Sequence, residues 1–101
     1  MNISNDPFIR ELLPEFVDSW IDDIDTKFMQ FIKAKDSGEL YRLAHTLKGS
    51  CFQFGLDDIG KMGVELMELA KDEDWEKAAT YEQPIRNSFA RVKEYLESNS
   101  L

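Results

Sequence analysis

The sequence predicts an all-α fold: an antiparallel up-down four-helix bundle with a short extra helix at its N-terminus. Three observations carry this expectation. Apolar residues recur at spacings of three and four, the repeat of an amphipathic helix, and no stretch alternates as a half-buried strand does. The only prolines are Pro7, Pro14 and Pro84, so few points interrupt a helix. The breaks between periodic stretches are short, which favours antiparallel neighbours. With 101 residues, 43% of them apolar, the chain can bury one core, and 1–101 reads as a single domain.

The elements follow in order. Asp6 before Pro7 has the form of an N-cap and a first helical residue, opening a short helix to about Leu13. Pro14 is expected to end or bend it. A longer helix then runs from about Pro14 to Lys35. Leu13, Val17, Trp20, Ile24, Phe28 and Phe31 form its stripe, with Phe16, Ile21 and Ile32 beside them. "KDSGEL" breaks it, and Asp36 or Ser37 can cap the next helix. Gly55, free to take positive φ, is the expected stop of that helix. Asp57 or Asp58 caps another to about Lys71, with Ile59, Met62, Leu66 and Leu69 as its stripe. After "KDEDWEK", Asp74 caps a final helix with Ala78, Glu82, Ile85, Phe89, Val92 and Leu96 at core spacing, kinked at Pro84. The tail "ESNSL" is expected to fray.

Composition excludes several function classes. Twelve basic residues face twenty acidic ones, a net charge of −8. Such a surface disfavours nucleic acid, whose binding replaces phosphate counterions with protein cations, and anionic membrane. The single cysteine, Cys51, allows no intramolecular disulfide. No basic n-region leads into an apolar run at the N-terminus, and no apolar stretch approaches the ~20 residues of a membrane span. A cytoplasmic soluble protein is expected, and Met1 with no visible linker points to a free-standing chain.

The third helix carries the only histidine. With His45 at zero and about 100° per residue, Leu40, Leu43, Ala44, Leu47, Cys51 and Phe54 fall in an arc of roughly 160° to 260°. That arc is the core face. Tyr41, Lys48, Gly49 and Phe52 lie within roughly 60° of His45 on the opposite face, and Arg42 lies at its edge. Lys48 sits at i+3, where helix side chains meet, and its ammonium can hold a phosphate as a point charge. Gly49 at i+4 weakens a helix by about 1 kcal/mol relative to alanine. Two explanations stand for it: an uncovered imidazole that another protein can approach, or tight packing against a neighbouring helix. Two stand for Tyr41 and Phe52 as well: partner anchors, or partial burial under the N-terminal helix.

"AHTLKGSCFQFGL", with His45, Lys48, Gly49, Ser50, Gly55 and Leu56 in register, closely resembles the histidine-containing phosphotransfer (HPt) domain. The likeness extends from "FVDSWIDDI" through "KDSGELYRLAHTLKGS" to "YLE", nearly the whole chain. The resemblance implies a four-helix bundle with an exposed, phosphorylatable histidine midway along one helix. His45 would accept and donate the phosphoryl group, Lys48 would steady it, and Gly49 would give clearance. Tyr41, Arg42, Gly49 and Phe52 would form the surface that docks a receiver domain. Members of the family often carry Gln or Glu on the next helix to orient the histidine, and the alignment puts Met67 at that slot. Methionine serves that purpose poorly, and packing at the edge of the core is the simpler account of Met67.

The implied function is a phosphorelay intermediate. It takes a phosphoryl group onto His45 from an aspartyl-phosphate receiver domain and passes it to a response-regulator aspartate. Histidine is a competent nucleophile, and its ordinary pKa near 6.5 leaves neutral imidazole available. The chain shows no carboxylate cluster for Mg²⁺, so the metal is expected on the partner receiver domain. It shows no nucleotide-binding glycine loop, so no autonomous kinase activity is expected. Partners are receiver domains of hybrid sensor kinases and of response regulators, and the chain is expected to be monomeric. A sensor-kinase dimerisation helix typically reads H-E with a proline soon after, unlike H-T-L-K-G. The alternative is a helical adaptor anchored by Tyr41 and Phe52 without phosphoryl chemistry. General-base catalysis by His45 lacks a second residue to orient the ring. A metal site would have one histidine and one core-facing cysteine.

Overall fold

The structure is a computed structural model that describes Ile3 and residues 6–98. All its regular elements are helical, and four of them are long. Helix α1 (Pro7–Asp23) passes through a π-helical turn (Ile24–Phe28) into α2 (Met29–Ala34). Helices α3 (Ser37–Gln53), α4 (Asp57–Lys71), α5 (Trp75–Ala79) and α6 (Glu82–Ser98) follow. Helix α3 packs along α4, and α1 along α6. The shared core contains Leu13, Val17, Ile24, Phe28, Leu40, Leu47, Leu66, Ile85 and Phe89, all fully buried, and Ile3 joins it.

The N-terminal expectation needs correcting. No separate short helix ends at Pro14, because α1 continues through it. Pro14 is exposed, so the Arg10 carbonyl deprived of its intrahelical donor lies on the solvent side, while Leu13 and Val17 on either side are buried in the core. Asp6 caps α1 as the sequence predicts, accepting from the Phe8 N–H at 2.9 Å, with Pro7 at the first helical position.

The π-helical turn shifts the core register. A π turn holds one more residue than an α turn. The buried stripe therefore runs Ile24, Phe28, Ile32, and Phe31, expected on the stripe, is only half-buried. The Thr26 hydroxyl donates to the Asp22 carbonyl at 2.8 Å within this turn. Asp25 projects from it to a two-point contact with Arg86 on α6, at 2.6 and 3.1 Å. Lys93 to Asp18, at 3.0 Å, makes a second surface tie between α6 and α1.

Asp36 and Asp74 cap α3 and α5, accepting from the backbone N–H groups of Glu39 and Lys77. Gly55 ends α3 with φ of 81°. The expected cap of α4 by Asp57 or Asp58 does not form. Leu56 is the N-cap without a side-chain bond, and the two aspartates lie in the first turn, where negative charge still suits the helix dipole. The final helix also differs. It is split at Thr80 and Tyr81, and Pro84 falls in the first turn of α6 instead of kinking a longer helix. An N–H in that turn has no intrahelical partner, so proline loses nothing there. Helix α6 reaches Ser98, so Glu97 and Ser98 are helical, while residues 99–101 of the tail lie outside the described residues.

Candidate functional site

Helix α3 divides into two faces. Leu40, Ala44, Leu47 and Cys51 are fully buried, and His45, Tyr41, Gly49 and Phe52 are exposed. Burial pushes the Cys51 thiol up to about 12, so it stays protonated and inert. This two-faced order is the one the three-four spacing predicts.

The close approach of α4 fixes the depth of α3. Gly60 and Gly63 are both buried. A methyl group on Gly63 would stand 3.0 Å from the Lys48 backbone nitrogen and 3.1 Å from the Ala44 carbonyl oxygen. One on Gly60 would stand 2.9 Å from the Phe52 ring. The backbone of Lys48, and with it the turn after His45, therefore rests directly on α4. Sequence reasoning missed this pair. The signal was available: two glycines three apart, next to the apolar stripe of a helix that otherwise has no reason to carry them.

Gly49 is the opposite case, since a methyl group there would meet nothing within 4 Å. That removes helix packing as its explanation. Helical side chains lean toward the N-terminus of their helix, so a side chain at 49 would lie back over His45. By the same rule the Lys48 chain leans toward the imidazole. Lys48 is half-buried, and among the described residues no carboxylate lies within 4.0 Å of its ammonium. Arg42, by contrast, is paired with Glu39 at 3.0 Å and lines the groove toward Trp20 and Phe31. It stands at the edge of the face.

Tyr41 and Phe52 are each 40% exposed. Phe52 covers Gly60 of α4 with its ring and leaves the remainder to solvent. Tyr41 lies beside His45, ring centroids 6.4 Å apart and planes 21° from parallel. Met67 is half-buried against the hydrophobic core, so it takes the packing role. Among the described residues, His45 makes no hydrogen bond and no ion pair.

The face therefore brings together an exposed imidazole, an ammonium a turn away that has no carboxylate within 4.0 Å among the described residues, an uncovered approach and two flanking aromatic rings. No group of three or more His, Cys, Asp or Glu among the described residues is arranged to hold a metal ion. No described helix is long and apolar enough to cross a membrane. In comparisons with known proteins, a family model, the Hpt domain, matches residues 10–97. No curated protein and no solved structure matches the chain.

Proposed function

Because the chain belongs to the Hpt domain family, whose members carry phosphoryl groups in phosphorelays and are not kinases, we propose that it is a relay intermediate working through His45. The phosphoryl group comes from the aspartyl phosphate of one receiver domain and goes to the aspartate of another. The observation that carries this reading is the pairing of exposed His45 with the open space at Gly49 and the unpaired ammonium of Lys48. The helices are arranged as an antiparallel up-down bundle that presents this face midway along α3.

The step balances simply. An imidazole nitrogen lone pair attacks phosphorus in line, a P–N bond forms, and the acyl-phosphate P–O bond breaks. The aspartate carboxylate leaves with the electron pair. The phosphorylated ring sheds its remaining N–H proton to solvent if it becomes neutral. The reverse sequence hands the group on. Such transfers depend on positioning and charge neutralisation. Lys48 supplies a cation on this side, and the Mg²⁺ that phosphoryl chemistry employs belongs to the receiver. Tyr41, Gly49 and Phe52, with Arg42 at the rim, form the docking surface. The chain acts as a cytoplasmic monomer without kinase activity of its own.

Incubation with a phosphorylated receiver domain tests the reading. The chain should acquire an acid-labile, base-stable label, and His45→Gln should lose it while keeping the helical circular dichroism. Equal labelling of the variant would end the reading.

A further inference from the structure

A nucleophile on a helix surface must be aimed as well as exposed. Orientation usually comes from a hydrogen bond to the ring nitrogen that does not react. His45 has no such partner among the described side chains. At the slot where the family resemblance expects a Gln or Glu to orient the histidine, this chain has Met67, a thioether that is half-buried against the core and at best a weak acceptor.

One ring contact remains. The N-terminal lean of helical side chains carries the His45 imidazole over the turn before it, and the residue four positions earlier is Tyr41. The centroid separation of 6.4 Å and the 21° interplanar angle fall within the offset-stacked range of aromatic pairs. On the C-terminal flank Gly49 contributes no side chain. The imidazole is thus braced from one side and open on the other.

We infer that Tyr41 is a positioning residue for His45: its ring takes over the orienting task that no hydrogen-bonding side chain performs here. The inference rests on the reading of His45 as the phosphoryl acceptor. A helix leaves a histidine about two χ1 wells, and χ2 is roughly two-fold, giving about four arrangements. If one of them is competent for attack, removing the brace lowers the competent fraction, and the maximal transfer rate, by up to about fourfold.

Two measurements test this on the whole chain. The protein has a single histidine, so the carbon-bound imidazole protons are assigned unambiguously by NMR. Stacking displaces them from their random-coil positions. Tyr41→Leu should return them toward those positions, and Tyr41→Phe should not. Single-turnover transfer from a phosphorylated receiver is then followed against receiver concentration. The plateau rate of Tyr41→Leu should fall about two- to fourfold, and the conservative Tyr41→Phe should rescue the plateau, whereas the half-saturation concentration of either variant can move because Tyr41 also lies on the proposed docking surface. Unmoved resonances, a change confined to half-saturation, or an equal loss in Tyr41→Phe would each overturn the inference. If the wild-type chain takes no label, the acceptor reading fails and the role of Tyr41 goes with it. If wild type is labelled and the leucine variant reaches the same plateau, only the inference about Tyr41 fails.

Discussion

Replacing Gly49 with alanine should stabilise the protein, and replacing Gly63 with alanine should do the reverse. Both glycines lie inside helices, so each gains about 1 kcal/mol of helix propensity on becoming alanine. The surroundings decide the difference. At Gly49 the new methyl group meets nothing within 4 Å, so there is neither a steric penalty nor a packing gain. The backbone contribution stands alone, and the expected change is about 0.5 to 1 kcal/mol of added stability. For a domain of this size that is about 2 to 8 °C in Tm. At Gly63 the methyl group would press on the Lys48 nitrogen at 3.0 Å, the Ala44 oxygen at 3.1 Å and the Lys48 Cα at 3.1 Å. These are backbone atoms and cannot swing aside. Helix α4 must back away from α3, and overpacking of this kind costs about 1 to 3 kcal/mol, which outweighs the propensity gain. Urea denaturation at fixed m-value reads both changes as shifts of midpoint in opposite directions. A destabilised Gly49→Ala would show that the glycine serves packing and would remove the access argument. A Gly63→Ala as stable as Gly49→Ala would show that the helices are not in the close contact described.

Lys48→Ala should slow phosphoryl transfer or shorten the phosphohistidine lifetime with the fold intact, and unchanged kinetics in both directions would reduce the lysine to a surface charge. Gly49→Gln should fold normally yet accept phosphoryl groups more slowly, since its side chain leans over His45; a normal rate would contradict the clearance role. Asp25 is held below its ordinary carboxylate range, first by the hydrogen bond from Arg86 and then by that guanidinium's charge. Its contribution is therefore present above the unfolded carboxylate pKa and lost as pH falls through the lower folded value. The urea midpoints of Asp25→Asn and wild type should differ slightly at pH 7 and converge below pH ~4; a gap that widens on acidification would contradict this sign. Cys51 should resist alkylation at pH 8 in the folded chain and react once denatured, because burial alone raises its thiol to about 12; rapid labelling of the native protein would place it outside the core.

What the sequence made legible follows the range over which its signals act. Periodicity is local, so the buried and exposed faces of α3 could be assigned, as could the caps at Asp6 and Asp74, while for α3 the sequence left Asp36 or Ser37 open and the structure uses Asp36. Pro14 misled because proline opposes a helix locally, whereas the continuity of α1 is decided by buried neighbours on both sides of it. Pro84 misled for a related reason: its meaning depends on where the helix starts, and the break at Thr80 and Tyr81 was not marked by any glycine. The π-helical turn was invisible because one extra residue changes the periodicity too little to register, though it exchanges Phe31 for Ile32 in the core. Gly60 and Gly63 act between helices: their place beside the apolar stripe of α4 marks a close approach, but α4 read alone does not say which helix makes it.

Gly49 on α3 with Gly60 and Gly63 on α4 together explain how the His45 side chain can be both exposed and firmly placed. An exposed residue usually gains its access by sitting on a mobile loop, where backbone freedom blurs geometry. Here the backbone at Ala44 and Lys48, on either side of His45, faces Gly63, so the turn that carries the histidine belongs to a close contact between α3 and α4. The Phe52 ring, seated on Gly60, closes the same contact one turn further along. Access is then obtained by deleting a side chain at Gly49 instead of loosening the backbone. The helix propensity lost there is offset by a core in which Leu40, Ala44, Leu47 and Cys51 of α3 are wholly buried. On the proposed reading, a partner approaching this face meets the His45 imidazole on a helix backed by α4, with open space at Gly49 and the Lys48 ammonium alongside. At Gly63 an added methyl group meets the α3 backbone and at Gly60 the Phe52 ring, whereas at Gly49 it meets nothing within 4 Å, which is why substitutions at Gly49 separate access from stability.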